Sequence, residues 1–153
     1  AGCRIAYVVG NAEIIKPLAV VKSNVDYGVF LPVQKMAVAA LRRDRLSGGA
    51  NGVAALYQQR RDVLLAALAE AGWKIEMPKA TMFVWAPVPA GWTSEEFAYA
   101  LLEEAGVVVI PGNAFGEQGE GYVRIALVQP PEVLREAAQS IARTGLLQRR
   151  QQG

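Results

Sequence analysis

The chain has 153 residues, of which 52% are hydrophobic and 20% charged, and its formal net charge is +2. These values are ordinary for a globular protein and argue against long disordered regions and against a nucleic-acid partner. The sequence contains no histidine, which excludes serine–histidine and cysteine–histidine nucleophiles and most zinc sites. Any enzyme chemistry carried by these residues must therefore use lysine, arginine, tyrosine, carboxylates or a cofactor.

The cysteine content and hydropathy indicate the cellular setting. The single cysteine, Cys3, allows no internal disulfide and favours a reducing, cytoplasmic environment. No apolar run is long enough to span a bilayer, and the N-terminus has no signal-peptide pattern. We therefore expect a cytoplasmic protein with no membrane partner and no metal site.

A short apolar strand is predicted close to the start of the chain, at residues 4–9 (RIAYVV), and Gly10 closes it. The strand has no obvious partner among the segments that follow. Because an unpaired buried strand needs neighbours for its N–H and C=O groups, we expect it to belong to a sheet whose other strands lie elsewhere.

Two helices are predicted after this strand. Asn11 is a favourable N-cap for the first, and Pro17 should kink that helix or mark a later start. Residues 22–31 are expected to form a polar and aromatic connection to the second helix, which begins near Pro32. The glycine-rich segment 47–52 then ends this helix and predicts a boundary between two lobes.

The remaining elements alternate between helices and strands. In order they are a helix at 53–71, a strand at 82–86, a helix opened by a capping box at 93–96 and closed by Gly106, a buried apolar strand at 107–110, a strand at 122–128, and a helix from Pro130. This block predicts an α/β chain with a small mixed sheet and helices on one side of it. The basic tail at 148–152 is expected to fray into solvent.

Two arginines lie in otherwise apolar predicted strands, Arg4 in the first and Arg124 in the last. Desolvating an unpaired guanidinium is costly, so each must find an anion. For Arg124 alone an internal salt bridge is the favoured interpretation, and a planar fork for a substrate carboxylate is the alternative. Together, the two arginines suggest a ligand with two anionic groups, such as a phosphate and a carboxylate, because guanidinium forks suit both.

Several segments resemble the class I/II pyridoxal-phosphate aminotransferases, the aspartate aminotransferase superfamily of fold type I. They are, in chain order, AGCRIA, NAEIIKPLAVVKSNVDYGVFL, YQQRRD, TMFVW and PGNAFGEQGEGYVRIAL. The resemblance implies the C-terminal portion of such an enzyme. Residues 1–48 would end the cofactor-binding large domain, with its last strand and helices. Residues 49–72 would form the interdomain helix, and residues 73–153 an α+β small domain.

The resemblance also implies roles for particular residues. Arg4 would hold the phosphate of pyridoxal 5′-phosphate, and Arg124 would orient the substrate by its α-carboxylate. Asn113 and Phe115 would line the mouth of the substrate site. Tyr27 lies in a crossover that approaches the neighbouring subunit's site in such dimers. The implied partners are amino acid and 2-oxo acid substrates, the upstream half of the enzyme and, when complete, a second copy in a homodimer.

The family's Schiff-base lysine projects just upstream of Ala1, and no lysine of this chain fits the signature. The chain alone is therefore expected to be inactive. The KSN-D-x-G-x-F run is similar to the subgroup of LL-diaminopimelate, alanine and broad-specificity aspartate-type aminotransferases. A β-elimination lyase or decarboxylase of the same fold, sharing both arginines, and a non-catalytic interaction fragment remain as alternatives.

Overall fold

The computed structural model describes residues 2–49 and 52–149. The chain divides into two units, Ala1–Asn51 and Gly52–Gly153. The finer division into large domain, interdomain helix and small domain stays a prediction. Residues 50 and 51 of the expected boundary, and residues 150–152 of the expected frayed tail, lie outside the described residues.

The first unit contains two helices, α1 (Ala12–Val25) and α2 (Leu31–Leu46). Asn11 caps α1 as predicted, because its side-chain oxygen accepts a hydrogen bond from the Glu13 N–H at 2.9 Å. The helix begins at Ala12 and contains Pro17, so this proline does not mark a later start.

The expected connection at 22–31 is shorter than predicted, because α1 continues to Val25. Lys22 forms an ion pair with Asp26 one helical turn further on, and the Asp26 N–H donates to the Lys22 carbonyl. These local contacts support the last turn of the helix. The second helix starts as predicted, with Pro32 in its first turn, where a missing N–H costs nothing.

The predicted strand at 4–9 is wrong. Residues 4–10 have no regular secondary structure, Arg4 has a positive φ of 52°, and all side chains from 4 to 9 except the half-buried Ile5 are exposed. A strand is stable only where a neighbour exchanges backbone hydrogen bonds with it, and the described residues of this unit contain no second strand.

The described residues of the second unit, 52–149, form three helices and three strands. They are α3 (Val53–Glu70), β1 (Phe83–Pro87), α4 (Ser94–Ala105), β2 (Ile110–Pro111), β3 (Tyr122–Ala126) and α5 (Pro131–Thr144), with 3₁₀ turns at Gly112–Phe115 and Glu117–Gly119. The sheet order is β1-β3-β2. Both pairings are antiparallel, so the small sheet is confirmed but its described strands are not mixed.

The helix boundaries in this unit follow the predicted signals. Thr93 and Glu96 form the predicted capping box at the start of α4. Gly106 ends this helix in the left-handed region, with φ 67°, which a glycine adopts without steric cost. The strand predicted at 107–110 is reduced to the pair Ile110–Pro111. The burial expected for this apolar run is confirmed for Val109 but wrong for Val108, which is 72% exposed.

One hydrophobic core joins the sheet to the helices. Val84, Val123 and Ile125 point from the sheet into this core. The helices contribute Leu64, Leu65, Leu68, Phe97, Ala98, Leu101, Leu134, Ala138 and Ile141. The next residues along each strand alternate to the other face, which places Phe83, Trp85 and Arg124 opposite the core.

The C-terminal tail is ordered further than predicted. Arg149 donates two hydrogen bonds to the Glu104 carboxylate, at 2.7 and 2.8 Å, and a third to the Thr144 carbonyl. The expected fraying is therefore wrong for Arg149, which a bidentate pair attaches to α4.

Candidate functional site

Arg124 lies in the middle strand of the sheet, on the face away from the core. Its register partners are Trp85 on β1 and Ile110 on β2. Val123 and Ile125 are buried on the opposite face, and these two neighbours fix the direction of the arginine side chain. A residue in a central strand has backbone bonds on both sides, so the base of this side chain is held rigidly.

Arg124 forms no internal salt bridge with any described residue, which contradicts the interpretation favoured for it from the sequence. Its Nε–H is buried and has no hydrogen-bond partner among the described residues. A buried donor without an acceptor costs free energy, and a cost of this kind is typical of a functional position. The two terminal Nη groups likewise find no acceptor in the described part of the chain, and they are not among the buried unpaired atoms.

Two aromatic rings take the place of an anion beside Arg124. The guanidinium carbon lies 4.3 Å from the centroid of the Phe83 ring and 4.4 Å from that of Phe115. Cation–π contacts at these distances stabilise a guanidinium without occupying its N–H groups. The arginine is thus held in position while its outer donors stay available to a ligand.

Phe83 is a site residue that the sequence reasoning missed. The signal was the alternation in Met82–Ala86, which puts Phe83 and Trp85 on one face of β1 and so on the face of Arg124. The register that sets them beside Arg124 depends on pairing across 39 to 43 positions of the chain, which the pattern alone did not provide.

Asn113 and Phe115 lie in the 3₁₀ turn that follows β2. The structure brings Phe115 into contact with Arg124, as described above, whereas the Asn113 side chain is exposed and bonds to no described residue. A Cβ added to Gly112 would lie 2.0 Å from the Gly119 carbonyl oxygen. The two 3₁₀ turns therefore cross so closely that only glycine fits at either position.

Ser94 fixes the segment that leads into β3, and the sequence reasoning missed this role also. Its side chain is fully buried, and its hydroxyl oxygen accepts hydrogen bonds from the N–H groups of Gly121 at 2.8 Å and Tyr122 at 3.1 Å. The Ser94 N–H donates to the Glu120 carboxylate at 2.8 Å. The start of α4 thereby positions the strand that carries the arginine.

An open groove borders the aromatic side of this face. Trp85 and Tyr122 line it together with Glu76, Lys79 and Gln118. The groove therefore combines aromatic surface with one acidic, one basic and one amide group, a lining suited to a polar ligand.

Arg4 and Tyr27 lie in the first unit. Both are exposed, with positive φ values of 52° and 56°, and Tyr27 is 92% exposed. The Arg4 guanidinium bonds to no described residue, so its donors are free for an anion such as a phosphate. Its donor chemistry fits one ligand of a phosphate group, although the strand expected to carry it is absent.

The described part of the chain lacks two other features, a cluster of metal-ligating side chains and a helix that could span a membrane. It contains no group of three or more cysteine, aspartate or glutamate side chains that could hold a metal ion. None of its helices has both the length and the apolar character needed to cross a membrane.

Comparison with known proteins links this geometry to a family. Residues 1–141 match the model of the family described as "Aminotransferase class I and II". The chain is 48% identical over 145 residues to LL-diaminopimelate aminotransferase 2 from Nostoc sp., covering 95% of this chain and 37% of that protein. It is 46% identical over 144 residues to the glutamate-pyruvate aminotransferase AlaC of Escherichia coli, covering 92% of this chain and 34% of the relative.

Solved structures agree with this comparison. An aminotransferase from Staphylococcus aureus superposes with a TM-score of 0.70 at 34% identity, over 95% of this chain and 38% of that one. The chain thus spans somewhat more than a third of the length of the relatives it matches. The fold is that of a fragment of fold type I aminotransferases, which are pyridoxal-phosphate enzymes. Since the family model covers most of the sequence, the chain belongs to the class I and II aminotransferases.

Proposed function

We propose that the complete protein is a pyridoxal-phosphate aminotransferase that moves an amino group from an amino acid to a 2-oxo acid. The observation that supports this most directly is the Arg124 guanidinium, which lies on one face of the sheet against two phenylalanine rings and pairs with no described anion. An arginine kept free of internal anions at the centre of a sheet face is suited to bind one from outside.

Arg124 would bind the α-carboxylate of the amino acid through its Nη donors. A carboxylate offers two oxygens in one plane, which match the planar fork of a guanidinium. Fixing the carboxylate fixes the direction of the other bonds at Cα, including the bond to the proton that must be removed. Arg124 is therefore proposed as an orienting residue for the substrate.

Arg4 would hold the phosphate of the cofactor, since its guanidinium is free of described partners. Pyridoxal phosphate, when bound, supplies the electron sink for reaction at Cα. Residues of this chain supply charge and orientation. Asn113 and Phe115 would border the substrate, and Tyr27 would approach the site of the second subunit in a homodimer.

The substrate is proposed to belong to the range of the similar subgroup, which includes LL-diaminopimelate, alanine and aspartate. The printed names of two relatives, an LL-diaminopimelate and a glutamate-pyruvate aminotransferase, support this range. The groove beside Trp85 offers charged and amide groups for a polar substrate side chain.

The chain by itself is proposed to be inactive. The Schiff-base lysine is expected in the upstream half, together with the other cofactor contacts. Residues 1–48 would complete the large domain of that half, 49–72 would join the two domains, and 73–153 would form the small domain. A homodimer in the cytoplasm is part of the same proposal.

The test is reconstitution. The chain is co-expressed with the upstream segment of the Nostoc relative, pyridoxal phosphate and an amino donor are added, and 2-oxo acid exchange is measured. We expect exchange only with both segments present. Activity from this chain alone would contradict the proposal, and ammonia or carbon dioxide release without exchange would identify the lyase or decarboxylase alternative.

Within the reconstituted enzyme, Arg124→Gln should lower kcat/KM for the amino donor about a hundredfold, because the bidentate charge pair is lost. Arg135→Gln, on the exposed side of α5, is the matched control and should retain activity. Equal losses in the two variants would show that Arg124 is not the carboxylate ligand.

A further inference from the structure

The aromatic residues around Arg124 form one connected set. Phe83 and Phe115 contact the guanidinium directly, and we call these two rings the aromatic clamp. Trp85 contacts Phe115, with ring centroids 5.8 Å apart and the planes at 65°, an edge-to-face arrangement. Trp85 also stacks against Tyr122, with centroids 5.6 Å apart and the planes at 20°. The ring of Phe115 is thus supported by a neighbouring ring that is itself packed.

The two rings of the aromatic clamp come from parts of the fold with different stiffness. Phe83 belongs to β1, whose hydrogen bonds to β3 fix its backbone beside Arg124. Phe115 lies at the end of a 3₁₀ turn and its side chain is half exposed, so its position depends on how the turn is anchored. The position of Phe115 is therefore the part of the clamp that needs support.

The base of this turn is anchored at two points. The glycine crossing between Gly112 and Gly119 leaves no room for a side chain, and Ser94 bonds the residues immediately after it. The turn is thus fixed at its base, and the Phe115 ring is in contact with Trp85. These contacts hold the ring against the guanidinium in one orientation.

We propose that Phe83 and Phe115, supported by Trp85, are positioning residues that hold the Arg124 guanidinium in its binding orientation before a carboxylate arrives. This inference rests on the proposed function, in which Arg124 binds the substrate carboxylate. It assigns Phe115 a role different from lining the mouth of the site: the ring acts through the arginine.

The physical reason is preorganisation. A free arginine side chain samples many rotamers, and fixing it on binding costs free energy. Ring contacts immobilise the guanidinium without using its N–H donors, whereas an internal carboxylate would compete with the substrate for them. The clamp removes part of the ordering cost in advance and leaves the Nη groups available.

The first experiment measures the arginine itself in the 153-residue chain. Arginine Nε–Hε resonances are recorded by ¹H–¹⁵N NMR, and Arg124→Lys assigns the relevant signal. We expect the Arg124 Hε to be shifted upfield by the rings and to exchange slowly with water, because the Nε is buried. Phe115→Leu should reduce the upfield shift and speed the exchange, and Phe115→Tyr should restore both.

The matched control is Tyr99→Leu, which removes an aromatic ring of similar exposure from α4. It should leave the Arg124 signal unchanged. Backbone amide spectra of all variants show whether the fold is retained. If Phe115→Leu keeps the fold and leaves the Arg124 shift and exchange rate unaltered, the clamp is refuted. Trp85→Leu is a second, independent test. It should change the Arg124 shift and exchange rate in the same direction as Phe115→Leu, but by less.

The second experiment titrates the chain with acetate and follows the same resonance. Phe115→Leu should weaken acetate binding about three- to tenfold, the range expected for immobilising one flexible side chain. An unchanged affinity would overturn the inference while leaving carboxylate binding by Arg124 intact. If acetate does not perturb the Arg124 resonance in the parent chain, the proposal that Arg124 binds the substrate carboxylate is wrong. The first experiment, which needs no carboxylate, then tests by itself whether the rings hold the guanidinium.

Discussion

The two units contain helices of similar length that differ in what lies against them. The helices α1 and α2 bury no residue, and apolar side chains such as Val25 and Leu46 remain 74% and 89% exposed. Each of α3, α4 and α5 buries three residues in a shared core. Local caps and ion pairs suffice to define a helix, but stability comes from packing an apolar face.

The largest expected effect is a contrast between two leucines. Leu68→Ala in the core should lower the free energy of unfolding by about 2–5 kcal/mol, since Leu68 is fully buried. Leu41→Ala on α2, where the side chain is 51% exposed, should change it by less than about 0.5 kcal/mol.

Urea unfolding measures this contrast with two probes. Tryptophan fluorescence reports the second unit alone, because Trp73, Trp85 and Trp92 all lie there, whereas far-UV ellipticity reports the helices of both units. If Leu41→Ala lowered the free energy of unfolding measured by ellipticity as much as Leu68→Ala does, the proposed difference in packing between the two units would be wrong.

A smaller loss of stability is expected when a buried serine is replaced. Ser94→Ala should destabilise the second unit by about 1–3 kcal/mol, because the partly buried N–H groups of Gly121 and Tyr122 lose their acceptor. Hydrogen exchange at these two amides should accelerate. Ser23→Ala on α1 is the control, since its hydroxyl only donates to the exposed Val20 carbonyl. Equally small losses of stability in Ser94→Ala and Ser23→Ala would contradict this prediction.

The smallest effect concerns two ion pairs and pH. Hydrogen bonding to Arg149 lowers the pKa of Glu104, and hydrogen bonding to Lys22 lowers the pKa of Asp26. A carboxyl group with a lowered folded-state pKa stabilises the fold above its unfolded pKa, and this stability is lost as pH falls through the folded value. Both contributions should therefore be present at neutral pH and absent in strong acid.

Removing each ion pair should destabilise a different part of the structure. Glu104 and Arg149 are 45 positions apart, so Arg149→Gln should reduce the acid-dependent part of the stability of the second unit. Lys22 and Asp26 are four apart, so Lys22→Gln should affect only the last turn of α1. Denaturation followed from pH 7 to pH 2 checks this, and identical pH profiles for Arg149→Gln and the parent chain would contradict it.

Sequence signals were sufficient wherever the controlling contact is local. The Asn11 cap, the Thr93–Glu96 capping box and the Gly106 stop each act within a few residues, and each was predicted. The extent of α1 was underestimated because the connection looked polar and aromatic, while the Lys22–Asp26 pair extends the helix. The roles of Ser94 and Phe83 escaped because their partners lie 25 to 41 positions away.

The sequence by itself determined the family, the helix boundaries that local caps and glycines set, and the presence of an arginine in the last strand. The tertiary structure alone decided that Arg124 pairs with rings and with no described carboxylate, and that residues 4–9 form no strand. The reason is physical: a helix satisfies its backbone with residues three and four positions away. A strand, or a buried guanidinium, depends on partners that only the folded chain brings near.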